Sequence, residues 1–489
     1  MIGRWRENWF ESRGTNPKAD GPMESVLKEG EVVFRRPFFD EQLSAEWIND
    51  ADFAGATGFA IDSRKISAGE IFVALKTANR DGHDYLVDAL SRNASAALVE
   101  HPREEVDLPQ IVVESTEAAL QTLGSAWRKE WGGRVIAVTG SCGKTSTKEV
   151  LGLLLGEEDT FVTPGNLNNY LGVPLSELQL RTKHKRAVLE AGINEPGEMA
   201  NLARMIDPQV AVVTTIGPAH LEKLGSLERI AEEKAHLPLR ASERVFLGPA
   251  CSEYGAFTEA GFSDPHWLLP VARTIIHPPE GELWRYNVVS DLETGQKTVR
   301  IRNQVVVEFP LPEVTAGMVE NICLALTVVL REGVSLEKAL KRLENWSPAR
   351  QRGEVIEVGG RTVYADHYNA NPASFADAVT FFHNRFEGQT KVWILGGMEE
   401  LGEESPAWHR QLATALPVEE GDRVFLVGEA TKEMISTVER SLGSEAVLQV
   451  NAVEEILDKV KRTEGIIFLK GSRKFRLEKV LESLAEDVS

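Results

Sequence analysis

Short apolar runs and longer segments in which apolar residues return every three or four positions succeed one another along most of the chain. Ile71 to Ala74, Ala96 to Val99 and Ile111 to Val113 read as short strands, with a helical segment from His83 to Ser91, and predict a small α/β unit that ends near Trp131. Arg134 to Thr139 is an apolar strand that runs into a glycine-containing loop, and Thr145 to Leu155 follows as an amphipathic helix. Buried-strand patterns recur at Ala187 to Leu189 and Val210 to Thr215, as a parallel sheet built from β-α-β crossovers requires. From Thr362 the rhythm is most regular. Val363 to Ala365, Val392 to Leu395, Arg423 to Val427, Ala446 to Val450 and Gly465 to Leu469 are strand-like with helical segments between them, the pattern of a doubly wound sheet. No G-x-G-x-x-G follows its first strand, so dinucleotide binding is not predicted there. The stretch from roughly 270 to 312 is richer in β-formers and polar residues and reads as hairpins.

These patterns predict an α/β protein of three domains: a small α/β domain over 37–130, a central parallel-sheet domain over 131–345 and a C-terminal Rossmann-like doubly wound domain over 346–489. Residues 1–36 are polar, lack a hydrophobic period, and are expected to form a disordered extension. A length of 489 residues agrees with three domains at ~100 to 200 residues each. The net charge of -20 and pI near 5.1 argue against a partner that is nucleic acid or an anionic membrane, since either needs a basic face. Cys142, Cys251 and Cys323 lie far apart without metal-ligand spacing, which fits a reducing cytosol. No signal-peptide pattern and no run of ~20 apolar residues is present, so the expectation is a soluble cytoplasmic protein without membrane insertion.

Candidate chemistry begins at "VIAVTGSCGKTSTKEV", Val135 to Val150. A strict phosphate loop has glycine where this chain has Val138. Strand, then Gly140, Ser141, Cys142, Gly143, Lys144, Thr145 and Ser146, then helix, is nevertheless the order that aims backbone N–H groups and a helix N-terminus at a phosphate chain. Lys144 is expected to reach the β- and γ-phosphates of ATP and Thr145 to hold Mg²⁺. A tight turn with a solvated lysine is the plainer alternative, and the strand-loop-helix context favours the nucleotide. Glu190 ends a buried strand, where open α/β sheets place their sites, although from the residue alone a solvated strand-end carboxylate is the safer reading.

The loop "TGSCGKTSTKE" resembles the shortened phosphate loop of the Mur ligases, ATP-dependent amide-forming enzymes of peptidoglycan assembly. The resemblance continues through "TPGNLNNYLGVPLSELQL", "AVLEAGINEPGEM", "TTIGPAHLEKLGSLERIAEEKA", "ADHYNANPAS", "ILGGMEELGEES" and "LKGSR". "DSRKISAGEIFVALKTANRDGHDY" (62 to 85) is similar to the family's nucleotide-sugar-binding module. Within the family, Asp366 to Pro372 resembles the signature of the member that joins UDP-N-acetylmuramoyl-tripeptide to D-alanyl-D-alanine. What the resemblance implies is phosphorylation of the substrate's carboxylate by ATP, followed by attack of the dipeptide amine, by an enzyme that acts as a monomer.

The site residues it implies are spread over the chain. Glu190 and His220 match the family's Mg²⁺ positions, His220 on resemblance alone because Mg²⁺ prefers oxygen. Lys234 lies where several members carry a carbamoylated lysine that binds a second Mg²⁺; from composition alone it is a helix-surface lysine paired with Glu232 or Glu233. Asn168 resembles a polar contact near the phosphates, and its other reading is a turn residue. Arg352 resembles the arginine facing the γ-phosphate, Asp366, Tyr368 and Asn369 resemble groups that meet ATP from the opposite side, and Ser63 and Arg64 resemble residues at the UDP end of the substrate. A site split between two domains implies closure on substrate. Three departures stand out: of the usual H-N-x-x-N only Asn321 survives, after Gly317 and Met318; His367 replaces a serine; and Gly397 replaces an aspartate. Two rival readings are a non-catalytic nucleotide-binding homologue and a ligase of the same fold with another acceptor. The nucleotide-sugar module weighs against the second.

Overall fold

In the structure, a computed structural model that describes residues 32–273, 280–291 and 296–486, the predicted strands assemble into three sheets of more than two strands. The chain divides into two compact units, one ending at Leu123 and the other comprising Gly124–Ser489.

In the first unit, strands Glu46–Ile48, Gln110–Val112, Ala96–Val99, Glu70–Val73 and Gly58–Ala60 lie side by side in that order. All neighbours are parallel except the first pair. Of the extension expected over 1–36, residues 1–31 lie outside the described residues. The five that follow do not fit a disordered segment: Phe34 is fully buried and bridged to Ala56, and Arg36 opens a helix over Arg36–Gln42. Aromatic rings explain it, because Phe34, Phe39, Trp47, Phe53 and Phe59 pack edge-to-face or tilted at centroid separations of 4.9 to 6.3 Å. Ser63 is buried here, and exposed Arg64 forms a two-pronged pair with Asp62.

The second unit holds two sheets. The larger runs Val306–Pro310, Lys297–Arg302, Glu282–Ser290, Pro265–Pro270, Arg244–Leu247, Val210–Val213, Arg134–Thr139, Arg186–Glu190, Thr160–Val162. The expected hairpins are the first three strands, antiparallel to one another, and Glu282–Ser290 then joins the parallel sheet through Pro265–Pro270. Register places the site: Glu190 pairs with Val138 and Val213 with Thr139, so three strands end at one level. The smaller sheet runs Glu354–Val358, Arg361–Asp366, Ile466–Lys470, Lys391–Gly396, Arg423–Val427, Val447–Val450, parallel apart from the opening hairpin. Among the described residues no helix is long and apolar enough to cross a membrane, and Cys142, Cys251 and Cys323 are free thiols.

Candidate active site

The apolar strand Arg134–Thr139 ends inside the sheet, and the next residues must reverse into the helix Lys144–Leu155. Gly140 makes that possible. Its φ is +147°, and a Cβ there would lie 2.0 Å from Thr214 Oγ1. The loop is pinned by neighbours from the adjoining strand end: Ser141 N donates to Thr215 O at 2.8 Å, Thr214 Oγ1 donates to Cys142 O at 2.5 Å, and Gly217 N donates to Ser141 Oγ at 3.0 Å. Lys144 Nζ folds back to donate to Gly140 O at 2.8 Å. Burial pushes its ammonium below the usual lysine range, and Glu190 partly opposes that shift.

Glu190, 1 % exposed, sits beneath this loop. Its Oε1 accepts from Thr145 Oγ1 at 3.2 Å and from Asn168 Nδ2 at 2.7 Å, and its Oε2 faces Lys148 Nζ at 3.4 Å. The solvated-carboxylate reading is thereby excluded. Thr145 and Glu190 present adjacent oxygens, the hard donors Mg²⁺ takes, and Mg²⁺ sites commonly add phosphate oxygens to one or two carboxylates. Among the described residues no cluster of three or more His, Cys, Asp or Glu forms a self-sufficient metal cage. His220 lies at the same strand ends in the left-handed region (φ +57°), its Nδ1 committed to Glu400 Oε2 at 2.5 Å.

Lys234 corrects the surface reading. It is 1 % exposed in the helix Leu227–Arg240, its Nζ has no hydrogen-bond partner, and burial, reinforced by Lys144, holds its amine well below the ordinary lysine range.

From the smaller sheet, Arg352 lies over the Tyr368 ring, 4.0 Å from its centroid, and Asp366 Oδ2 accepts from Lys470 Nζ at 2.6 Å. Asn369 Oδ1 accepts from Ala370 N at 2.9 Å, and Asn371 caps the helix Pro372–Arg385. One cavity of ≈ 670 Å³ collects these groups: Ser141 to Ser146, Asn168, Glu190, His220, Asn321, Arg352, Asp366, Tyr368 and Asn369 line it, together with Lys470 and Glu400. Gly140 supports the loop from behind, Lys234 does not line the cavity, and Ser63 and Arg64 belong to the first unit. Sequence reading missed Lys148 and Lys470. Lys148 stands four residues after Lys144, one helical turn on, which is a usable signal; Lys470 has none beyond "LKGSR".

Two departures have structural partners. At Gly317 the backbone N–H donates to Asp377 Oδ2 at 2.9 Å, and a Cβ would sit 2.8 Å from that oxygen, so the bare backbone admits a carboxylate at the N-terminus of the helix Ala316–Arg331. The space beside Gly397 is filled by the Phe475 ring, 3.1 Å from where a Cβ would be. His367 is 1 % exposed with neither ring nitrogen hydrogen-bonded, and burial lowers its pKa to about 4.

The chain is similar to known proteins over most of its length. Three models match the chain in sequence order: Mur ligase family, catalytic domain, over 56–128; Mur ligase middle domain over 138–329; and Mur ligase, glutamate ligase domain, over 351–473. The UDP-N-acetylmuramoyl-tripeptide--D-alanyl-D-alanine ligase of Escherichia coli is 31% identical over 442 residues, 87% of this chain and 93% of that protein. The enzyme of the same name from Bacillus subtilis is 29% identical over 444 residues, 88% and 93% of the two chains. Among solved structures, MurF from Acinetobacter baumannii superposes with TM-score 0.76 at 26% identity, covering 93% of this chain and 99% of that one. MurF ligase from Thermotoga maritima in complex with ADP gives 0.71 at 26%, covering 88% and 98%. With the three family segments in sequence order, and a relative of 31% identity matched over nearly its whole length, this chain belongs to the Mur ligase family.

Proposed function

We propose that the chain is an ATP-dependent ligase that joins D-alanyl-D-alanine to UDP-N-acetylmuramoyl-tripeptide in the cytoplasm. The observation that carries this reading is the single cavity in which the phosphate loop and Glu190 face Arg352 and the Asp366–Lys470 pair. The relatives' shared name and the ADP bound to one of them support it.

In this reaction a carboxylate oxygen of the tripeptide attacks the γ-phosphorus of ATP, ADP leaves, and an acyl phosphate forms. The dipeptide amine then attacks the acyl carbon, an amide bond forms, phosphate leaves, and the amine gives up a proton. Negative charge gathers between phosphoryl and carboxylate oxygens in both steps, and Lys144, Arg352 and Lys470 are cations that line that space. Mg²⁺, when bound by Thr145 and Glu190 with His220 beside them, supplies further positive charge there. The backbone from Gly140 to Ser146 cradles the phosphates, Asn168 steadies Glu190, and Asn321, Asp366, Tyr368 and Asn369 complete the ATP pocket. Ser63 and Arg64 take the UDP end of the substrate.

Phosphate release by the purified protein with ATP and Mg²⁺ tests this. Release is expected only when both UDP-N-acetylmuramoyl-tripeptide and D-alanyl-D-alanine are present. ATP binding without release under any acceptor would instead identify a non-catalytic homologue.

Lys234 has the environment for carbamoylation. Its buried Nζ has no hydrogen-bond partner and burial disfavours the charged form, and an amine in its uncharged form adds CO₂ to give a carbamate and one proton, which turns a nitrogen base into an oxygen donor for a second Mg²⁺. Protein equilibrated with ¹³C-bicarbonate is expected to show one carbamate carbon resonance that Lys234→Met lacks. A wild-type spectrum without it would rule the modification out.

A further inference from the structure

Lys148 is a fully buried lysine that the reaction itself does not use. Its ammonium donates to Thr163 O at 2.8 Å and Gly165 O at 2.9 Å. A lysine ammonium has three N–H donors, so one remains. It points among carboxylates, with Glu190 Oε2 at 3.4 Å and Glu149 Oε1 at 3.2 Å. Glu190 Oε2 is itself buried and makes no hydrogen bond, so charge rather than a short contact ties it to Lys148.

The two carbonyls that Lys148 grips belong to the loop leaving the strand Thr160–Val162, and that loop holds Glu190 from two further points. Thr163 Oγ1 accepts from Glu190 N at 3.0 Å, and Asn168 Nδ2 donates to Glu190 Oε1 at 2.7 Å. Removing the ammonium would therefore take the donor from two carbonyls, release the loop that carries Asn168, and leave the buried Glu190 carboxylate without the cation that faces it at 3.4 Å.

We infer that Lys148 is a positioning residue that clamps the 163–168 loop against Glu190 and fixes the carboxylate's aim toward Thr145, thereby setting the divalent-cation affinity of the nucleotide site. The inference rests on the reading of Glu190 as a metal ligand. Outer partners of metal ligands commonly change affinity about 10- to 100-fold when removed.

The test is Mn²⁺ binding to the full-length protein saturated with ADP, read by electron paramagnetic resonance, for wild type, Lys148→Met and Lys148→Gln. ADP binding in EDTA and thermal unfolding are measured on the same samples. Lys148→Met is expected to weaken Mn²⁺ at least about tenfold while ADP binding in EDTA is little changed. Lys148→Gln, which keeps a donor for the carbonyls but no charge, is expected to fall between. Unchanged Mn²⁺ affinity with a lowered melting temperature overturns the inference, and so does failure of both variants to fold, because Lys148 is then a core element alone. Glu190→Gln is the control for the underlying reading: if it too leaves Mn²⁺ affinity unchanged, the metal assignment has failed rather than the role of Lys148.

Discussion

Lys144→Ala is expected to lower phosphate release about a thousandfold while the protein stays folded. The two parts of this expectation have different physical origins. In the structure the Lys144 ammonium is spent on Gly140 O at 2.8 Å, a contact it can exchange for phosphate oxygens as ATP enters. Its position at the first turn of the helix Lys144–Leu155 adds a full charge where backbone N–H groups already converge, and alanine removes that charge without disturbing the N–H groups. Stability is affected little, because the loop keeps its Ser141–Thr215, Thr214–Cys142 and Gly217–Ser141 bonds. The measurement is phosphate release with both substrates, alongside thermal unfolding. A variant with wild-type turnover would remove Lys144 from the phosphate site, and a variant that unfolds would show the loop to depend on the lysine.

Much of the fold was legible because buried parallel strands announce themselves as apolar runs. Val210–Val213 and Lys391–Gly396 are buried throughout and were read within a residue or two. Glu354–Val358 was missed for the converse reason: it is a half-exposed edge strand with Glu357 turned outward, and no apolar run marks it. The candidate site could be read where a local motif carried it, as in the glycine loop, and pairings made by strand order could not. Asp366 was expected in the site, but Lys470 lies 104 positions on, and only the parallel pairing of their strands sets the two side by side. Lys234 is the instructive intermediate. Ile230, Ala231, Ala235 and Leu237 are buried on the same helix, so the helical period already put Lys234 on the inner face, but a lone lysine is read as solvated by default.

Glu190 carries both chemistry and architecture. Glu190→Ala is expected to abolish turnover and to cost on the order of 3 kcal/mol of stability. The stability loss follows from what the carboxylate leaves behind: buried Lys148 loses the buried one of its two facing acids and keeps only half-exposed Glu149, and Asn168 Nδ2 and Thr145 Oγ1 lose their acceptor. The figure stays at the low end for a broken buried pair because Thr163 O and Gly165 O still solvate the ammonium. Glu190→Gln keeps the shape and an acceptor oxygen for Asn168 but no charge, so it should retain more stability while losing turnover as completely. Denaturant unfolding and phosphate release across a Mg²⁺ titration read the two effects apart. If glutamine restored turnover along with stability, Glu190 would be a structural acid beneath the loop, and the ion would have to be held by other oxygens.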